Sequence, residues 1–535
     1  MSVLPSSRAI TLGVAVTLFG LLSVLPVIYM LGVSFVDANG EISFSNYRQL
    51  LLDARQRNLL WTSTLLGTGA ALLATIVGAP LGLLLARAAL PAKRLLRIAL
   101  VIPLVIPPYV LALSWILISG SQGVVAGWLG SDLLSEWTYS LTGAIIVLGT
   151  SFYPLSMLAT EAAARRVNGR LEEAALLVAP VRSVLWHISF PLIAPTVAAA
   201  ALIIFVLTLA EFGVPGILRV RVFTTEVFTS FSAIYDFGQA TALAVPLLIV
   251  VLIVGILTKL IIGERLLATR RSVHPGMILP LGRWRLVVIG ALALILAASI
   301  VLPLTTLAVE SGRPGRVASA AWMSGAAIFN SLFLACLGAT LIVVLAVLLG
   351  SGRARMRARC GGLVDLLFIV IFAVPSTVVG VGLIGLWNRA GVMGEIYSSQ
   401  WIIVVAYLAR FAPVAALMLA ASVRQLPTSI EEAAKVAGAS WIRTFTHIVL
   451  PQISTGLAAA WVVSFIFAFG ELGTTLLVAP PGESTLPVRV YTIIANTPST
   501  EVAALALLQV GIILIPLTLL GLFARGQVGS RGKRI

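Results

Sequence analysis

The sequence predicts an all-α integral membrane fold: about twelve transmembrane helices, arranged as two parallel six-helix repeats, each carrying a polar cytoplasmic loop. Three observations predict it. Of 535 residues, 59% are hydrophobic and only 10% are charged, against roughly 25% charged in an average soluble chain. The apolar residues fall in blocks long enough to cross a bilayer, which takes about 20 residues of helix. One polar stretch also occurs twice, as "EEAALLVAPVRSVLWHISFP" (172–191) and "EEAAKVAGASWIRTFTHIVLP" (431–451).

The hydrophobic blocks lie at 9–33, 58–86, 98–118, 141–163, 196–217 and 239–262, then at 286–309, 329–350, 363–386, 401–421, 455–477 and 501–524. The first block is longer than the apolar core of a signal peptide and no small-residue cleavage site follows it, so it reads as a retained span. The net charge is +16. Its Lys and Arg collect in alternate loops: 87–97, 165–182, 265–285, "RARMRAR" (353–359), 424–443 and the tail "RGKRI". Positive loops face the cytoplasm, which places both termini there. The loop holding Arg48, Arg55 and Arg57 runs against the trend. The basic charge has this topological explanation, and no nucleic-acid module is present. Cys336 and Cys360 make no disulfide framework, and His187, His274 and His447 are too scattered for a metal site.

The two sets of six blocks are copies. "LAEFGVPGIL" in the fifth block faces "FGELGTTLLV" in the eleventh, pairing Glu211-Phe212-Gly213 with Glu471-Leu472-Gly473. "TTEVFT" (224–229) resembles "PVRVYT" (487–492). The third spans share a Pro-interrupted pattern, "VIPLVIPPYV" and "FAVPSTVVGV". An even number of spans per copy makes the repeat parallel, a known transporter architecture. The expected units are 1–262, a cytoplasmic linker 263–285, and 286–535.

In the second polar stretch, Ser429 with Glu432 and Thr428 with Glu431 have capping-box spacing, so a helix should start there. Its first turn then carries Glu431 and Glu432, where the helix dipole favours carboxylates. Gly438 suits the end of that helix and Ser440 can cap the next, with Pro451 as a stop. Ile430, Ala434, Ala437, Trp441, Phe445 and Ile448 should share an apolar face. Ala433, Ala434 and Gly438 leave room for a partner. One copy alone would be equally compatible with a helix lying on the headgroups. Two copies in matching places favour docking of two equivalent partners.

The pattern Glu-Ala-Ala, three residues, Gly and an apolar–Leu-Pro ending resembles the signature loop of bacterial ABC-importer permeases. The resemblance covers essentially the whole chain, as two fused permease domains. In that family the loop forms a coupling helix seated on the ATPase subunit. The resemblance implies ATPase contacts at Glu172, Glu173, Ala174 and Ala175, and at Glu431, Glu432, Ala433, Ala434 and Gly438. It also implies two copies of a cytoplasmic ATPase and an extracytoplasmic solute-binding protein as partners. The first copy departs from the pattern. It is one residue shorter around "VAPV", has Ala179 in place of the glycine, and has Arg170 in place of the capping Ser. Its turn should differ, with Pro180 starting the second helix.

No Walker A motif is present: Lys93, Lys259, Lys435 and Lys533 all lack the Gly-rich setting and the following Ser or Thr. ATP would therefore be bound by partner subunits, and the chain needs no cofactor of its own. Nor is there a catalytic cluster. Glu211 and Glu471 are intramembrane carboxylates and hence candidates for the translocation path, or else caps of neighbouring helices. No intramembrane His or Lys is arranged as their partner, which speaks against a proton relay. Two fused permease domains resemble the ferric-iron uptake permeases, a layout shared by thiamine permeases. Ferric iron is the expected cargo. Thiamine, polyamine and phosphonate remain open, as does an ion-coupled secondary transporter.

Overall fold

The computed structural model describes residues 7–36, 41–120, 123, 133–234, 237–262 and 281–531. Most of the expected linker, His274 and the last four residues of the tail lie outside the described residues. Within them the regular structure is helical apart from one isolated bridge, Val36–Ile42.

Among the described residues, nine helices are long and apolar enough to cross a membrane, or twelve if each of three sharply bent pairs counts as one span. In order, span 1 is Arg8–Val33 and span 2 is Ala54–Arg87. Span 3 is Lys93–Val105 with Pro108–Ser119, span 4 Leu141–Ala164, span 5 Val181–Ala210 and span 6 Phe237–Ile261. The second set begins with span 7 (Gly282–Glu310), span 8 (Gly325–Ala354) and span 9 (Cys360–Ala373 with Ser376–Trp387). It ends with span 10 (Trp401–Arg424), span 11 (Trp441–Gln452 with Ser454–Phe469) and span 12 (Ser499–Gly521). Every expected block contains a span. Two blocks need correction: spans 5 and 11 start far earlier than 196 and 455, inside the polar stretches, and stop before Glu211 and Glu471.

Prolines explain the breaks. Spans 3 and 9 each bend by 92°. At the bends Ile106 and Val374 are extended, with ψ of 128° and 129°, the conformation forced on a residue before proline. Elsewhere proline widens the helix instead. Four π-type turns, Gly20–Val24, Leu185–Ser189, Ala297–Val301 and Phe445–Val449, each precede a proline: Pro26, Pro191, Pro303 and Pro451. Proline lacks the N–H that would close an ordinary turn, so the wider turn relieves the clash. These four sit at matching places in the two sets. Pro191 stays within an unbroken span 5, whereas span 11 runs past Pro451 and bends by 76° at Ile453.

Spans 2 and 4 pack closely, as do spans 8 and 10. Glycines permit this. A Cβ on Gly82 would stand 2.9 Å from the Glu161 nitrogen, and one on Gly350 2.9 Å from the Ala420 nitrogen. Small residues bring helix backbones together where lipid gives no hydrophobic drive. The first spans are exchanged. Span 1 packs on Ser376–Trp387 of span 9, where a Cβ on Gly382 would lie 2.6 Å from the Pro26 oxygen. Phe19 meets Phe368 edge-on at 5.2 Å. Span 7 in turn packs on Pro108–Ser119, and Leu292 shares a core with Leu100 and Tyr153.

Candidate functional sites

Each polar stretch folds as a short helix, a turn and a second helix that runs into the membrane. In the second unit the short helix is Thr428–Val436. Pro427 occupies its N-cap and no side chain caps it, so the expected capping box does not form; proline at that edge starts the helix instead. Gly438 has φ +81°. Its N–H bonds the Lys435 oxygen at 3.0 Å and the Ala439 N–H bonds the Ala434 oxygen at 3.0 Å. This is a Schellman ending, which requires the left-handed backbone that glycine tolerates. Ser440 caps the next helix, accepting from the Arg443 N–H at 3.4 Å.

The first unit is built differently. Asn168 caps Gly169–Leu176, accepting from the Arg170 N–H at 3.2 Å. Pro180 is the N-cap of the second helix. No left-handed residue lies between the helices: Ala179 returns its N–H to the Ala175 oxygen at 2.9 Å. The missing residue is thus the glycine's extra step, and the shorter chain turns without it.

The expected contact residues divide into two groups. Glu173, Ala174, Glu432, Ala433 and Gly438 are exposed, and Ala175 is half-buried. Ala434 is buried, and Glu172 has no exposed surface at all. These two cannot meet a partner directly in this conformation, because they are the inward side of their helices. Among the other expected apolar-face residues, Phe445 is buried, Trp441, Ile430 and Ile448 are half-buried, and Ala437 is exposed. Three apolar residues missed in the sequence stand out at the tips: Leu177, Val178 and Val436, at 86%, 88% and 90% exposure. Leu177 and Val436 each lie four positions after the exposed glutamate, so Glu173 with Leu177 and Glu432 with Val436 share one helical face. The i, i+4 spacing was visible in the sequence.

Arginines hold the inward glutamates. Arg87, the last residue of span 2, bonds Glu172 at 3.0 Å and the Ala164 oxygen at 2.9 Å. Glu172 also accepts from Ser189 Oγ of span 5 at 2.7 Å. In the second copy Arg355, capping span 8, pairs with Glu431, its Nε lying 3.1 Å from Oε1. Arg355 also reaches the Leu426 oxygen at 3.5 Å. Arg87 and Arg355 are matching residues, each five positions after the glycine that meets span 4 or span 10. Around these pairs lie three more, Arg97–Glu161 at 3.0 Å, Arg165–Glu161 at 2.6 Å and Arg353–Asp365 at 2.7 Å. On equivalent spans the sign is reversed: span 3 supplies Arg97, whereas span 9 supplies Asp365.

Glu211 and Glu471 lie in the breaks that end spans 5 and 11. Glu211 accepts the Gly213 N–H at 3.0 Å, and Glu471 accepts the Thr474 N–H at 2.8 Å. Both therefore cap the short helices Gly213–Ile217 and Gly473–Val478, where a carboxylate offsets free N–H groups. The two breaks touch. A Cβ on Gly213 would meet Leu472 at 3.3 Å, and one on Gly473 would meet Phe212 at 3.3 Å. Glu471 is buried and paired with Arg410 of span 10. Glu211 is half-buried and in electrostatic range of both Glu471 and Arg410. The arginine has no twin. Counting back from Pro154 and Pro413, its counterpart in span 4 is Ser151, which only returns its hydroxyl to the Val147 oxygen at 2.7 Å. Arg410 went unremarked in the sequence, although an arginine inside an apolar block was the signal. Close by, the buried Tyr109 hydroxyl donates to Gln509, tying span 3 to span 12.

Residues 78–264 and 342–533 both match the family model described as "Binding-protein-dependent transport system inner membrane component". The "Fe(3+)-transport system permease protein FbpB 2" of Haemophilus influenzae is 26% identical over 529 residues, covering 97% of this chain and all of that protein. The "Ferric transport system permease protein FbpB" of Actinobacillus pleuropneumoniae is 26% identical over 400 residues, which are 70% of this chain and 57% of that protein. The "Putative 2-aminoethylphosphonate transport system permease protein PhnV" of Salmonella typhimurium is 27% identical over 152 residues, 28% of this chain and 56% of that protein.

Proposed function

Because the chain belongs to the binding-protein-dependent transport system inner membrane components, a multi-pass permease of an ABC importer without an ATPase site of its own, we propose that it carries ferric iron into the cytoplasm. Two copies of a cytoplasmic ATPase drive it, one beneath each loop unit, and an extracytoplasmic binding protein delivers the cargo. Both termini lie in the cytoplasm, as the arginine-rich loops favour. Residues 1–262 and 286–535 are the two permease repeats, joined by 263–285. The similarity to ferric permeases over the full length supports iron over the other cargoes. The partial similarity to phosphonate permeases keeps that cargo as the second reading.

The observation that carries the coupling reading is the shared exposed face. Two loop units with different turns both present a glutamate and an alanine followed by an apolar tip: Glu173, Ala174, Leu177, and Glu432, Ala433, Val436. Identical ATPase grooves could accept both. ATP binding brings the two ATPases together, and the loop units carry that motion into the spans. One half then shifts against the other, and the central breaks at Glu211 and Glu471 open the path alternately to each side.

Purification in a mild detergent with the ATPase and the binding protein tests this reading. The expected result is two ATPases per permease, with hydrolysis stimulated by the iron-loaded binding protein. Stimulation by a phosphonate-loaded binding protein alone would favour the second reading. A permease that recovers no ATPase would refute the coupling assignment.

A further inference from the structure

We propose that Arg87 and Arg355 are positioning residues for transport: each fastens the inward glutamate of a loop unit to the cytoplasmic ends of several spans, so that the loop and those spans move as one body. This rests on the ATPase docking reading above. The short helices are otherwise lightly attached. Thr428–Val436 exposes six of its nine residues and Gly169–Leu176 four of its eight. A push on the tips would tilt such a helix on its flexible ends unless a firm inner contact resisted it.

The geometry supplies that contact twice. In the first unit, Arg87 joins four chain segments at one point. It ends span 2, bonds the Ala164 oxygen that ends span 4, and holds Glu172 of the short helix, which itself accepts Ser189 from span 5. Both charged side chains are almost wholly buried, at 4% and 0% exposure. In the second unit, Arg355 ends span 8 and holds Glu431, and it reaches the Leu426 oxygen just past span 10. A small cavity beside it is lined by Trp441, Phe445 and Val449 of span 11 and by Arg8 and Leu12 of span 1. A residue needed only for helix formation would not be expected at the same junction of spans in both copies. The side chains are also suited to the task. A guanidinium donates in several directions within a fixed plane, so it can bridge several acceptors without swivelling.

The two fastenings differ. The first is sealed and has an added hydroxyl partner, whereas the Glu431 side chain is 30% exposed. Where Ser189 stands in the first copy, the second has Val449, which offers no donor.

The test uses the reconstituted complex of permease, ATPase and loaded binding protein, measuring cargo moved per ATP hydrolysed. Arg355→Met and Glu431→Gln should leave two ATPases bound and hydrolysing, while transport per ATP falls about tenfold. The reversed pair, Arg355→Glu with Glu431→Arg, should recover most of that loss. At the sealed site the double change Arg87→Met with Glu172→Leu avoids an orphaned charge and should likewise uncouple. Transport per ATP within about twofold of the unaltered chain in Arg355→Met and Glu431→Gln would overturn the proposal. So would loss of the bound ATPase, since the two residues would then belong to the docking surface. If the Arg355→Met permease itself does not fold, the reversed pair decides, and a tenfold deficit there counts against the proposal. Failure of the unaltered complex to couple hydrolysis to transport would instead remove the docking reading itself.

Discussion

Arg410→Met places a test beside the break that ends span 11. The arginine is the buried partner of Glu471, with side-chain exposures of 12% and 7%. Removing one member of a buried pair leaves the other charge without compensation, at a cost of about 3–5 kcal/mol. After the substitution Glu471 keeps its bond from the Thr474 N–H but loses the guanidinium that neutralised it. Glu471→Gln added to Arg410→Met removes the orphaned charge while keeping an oxygen for the Thr474 N–H. Most of the stability should then return, leaving a deficit of about 1 kcal/mol, the value of an ordinary hydrogen bond. The assay is unfolding of the purified permease in detergent, followed by tryptophan fluorescence against denaturant. The required order is Arg410→Met least stable, the double variant well above it, and the unaltered chain highest. Equal stability of Arg410→Met and the double variant would refute the account, because the cost would then come from the lost contact of the guanidinium with the Phe411 ring, 5.2 Å from its centroid, rather than from charge.

Glu432→Lys and Val436→Asp should each weaken ATPase association while the permease unfolds as before, since both side chains are exposed; normal stimulated hydrolysis in both variants would count against this docking face. Gly438→Val should destabilise the second unit by about 1–2 kcal/mol, the penalty for a β-carbon in left-handed backbone, detected as faster amide exchange across 433–440, whereas Ala179→Gly should bring no gain in the first unit. Gly350→Leu forces a side chain against the Ala416 oxygen and Ala420 nitrogen, 2.8 and 2.9 Å from the Cβ position. It should cost at least the ~1–3 kcal/mol of an overpacked contact and lower the yield of folded protein.

Composition and block length sufficed for the fold class, because lipid admits few solutions and long apolar helices are one of them. The proline-interrupted third spans were visible for the same local reason: a residue before proline is forced out of the helix whatever surrounds it. The positions of Gly438 and Ser440 were legible too, since both act through their own backbone neighbourhood. What failed was long-range. Thr428, Ser429 and their glutamates have capping-box spacing, yet Glu431 is taken by Arg355, 76 residues earlier in the chain. Glu172 looked like an outward contact because its neighbours are; only the fold brings Arg87 and Ser189 to it. The extents of spans 5 and 11 were misjudged because hydropathy cannot distinguish a helix that starts in water from one that starts in lipid. Arg410 was passed over because its value depends on Glu471, on another span.

The exchange of first spans has a consequence for how the chain is made. Span 1 leaves the ribosome early, but the surface it packs on, Ser376–Trp387, is synthesised more than three hundred residues later. At about 5–20 residues per second, span 1 waits roughly 20–70 s in the bilayer without its final neighbour. Lipid must serve as its provisional partner, which suits a helix with so many outward apolar side chains. The oldest helix in the membrane is thus among the last to find its place, and its arrival closes one half of the protein onto the other.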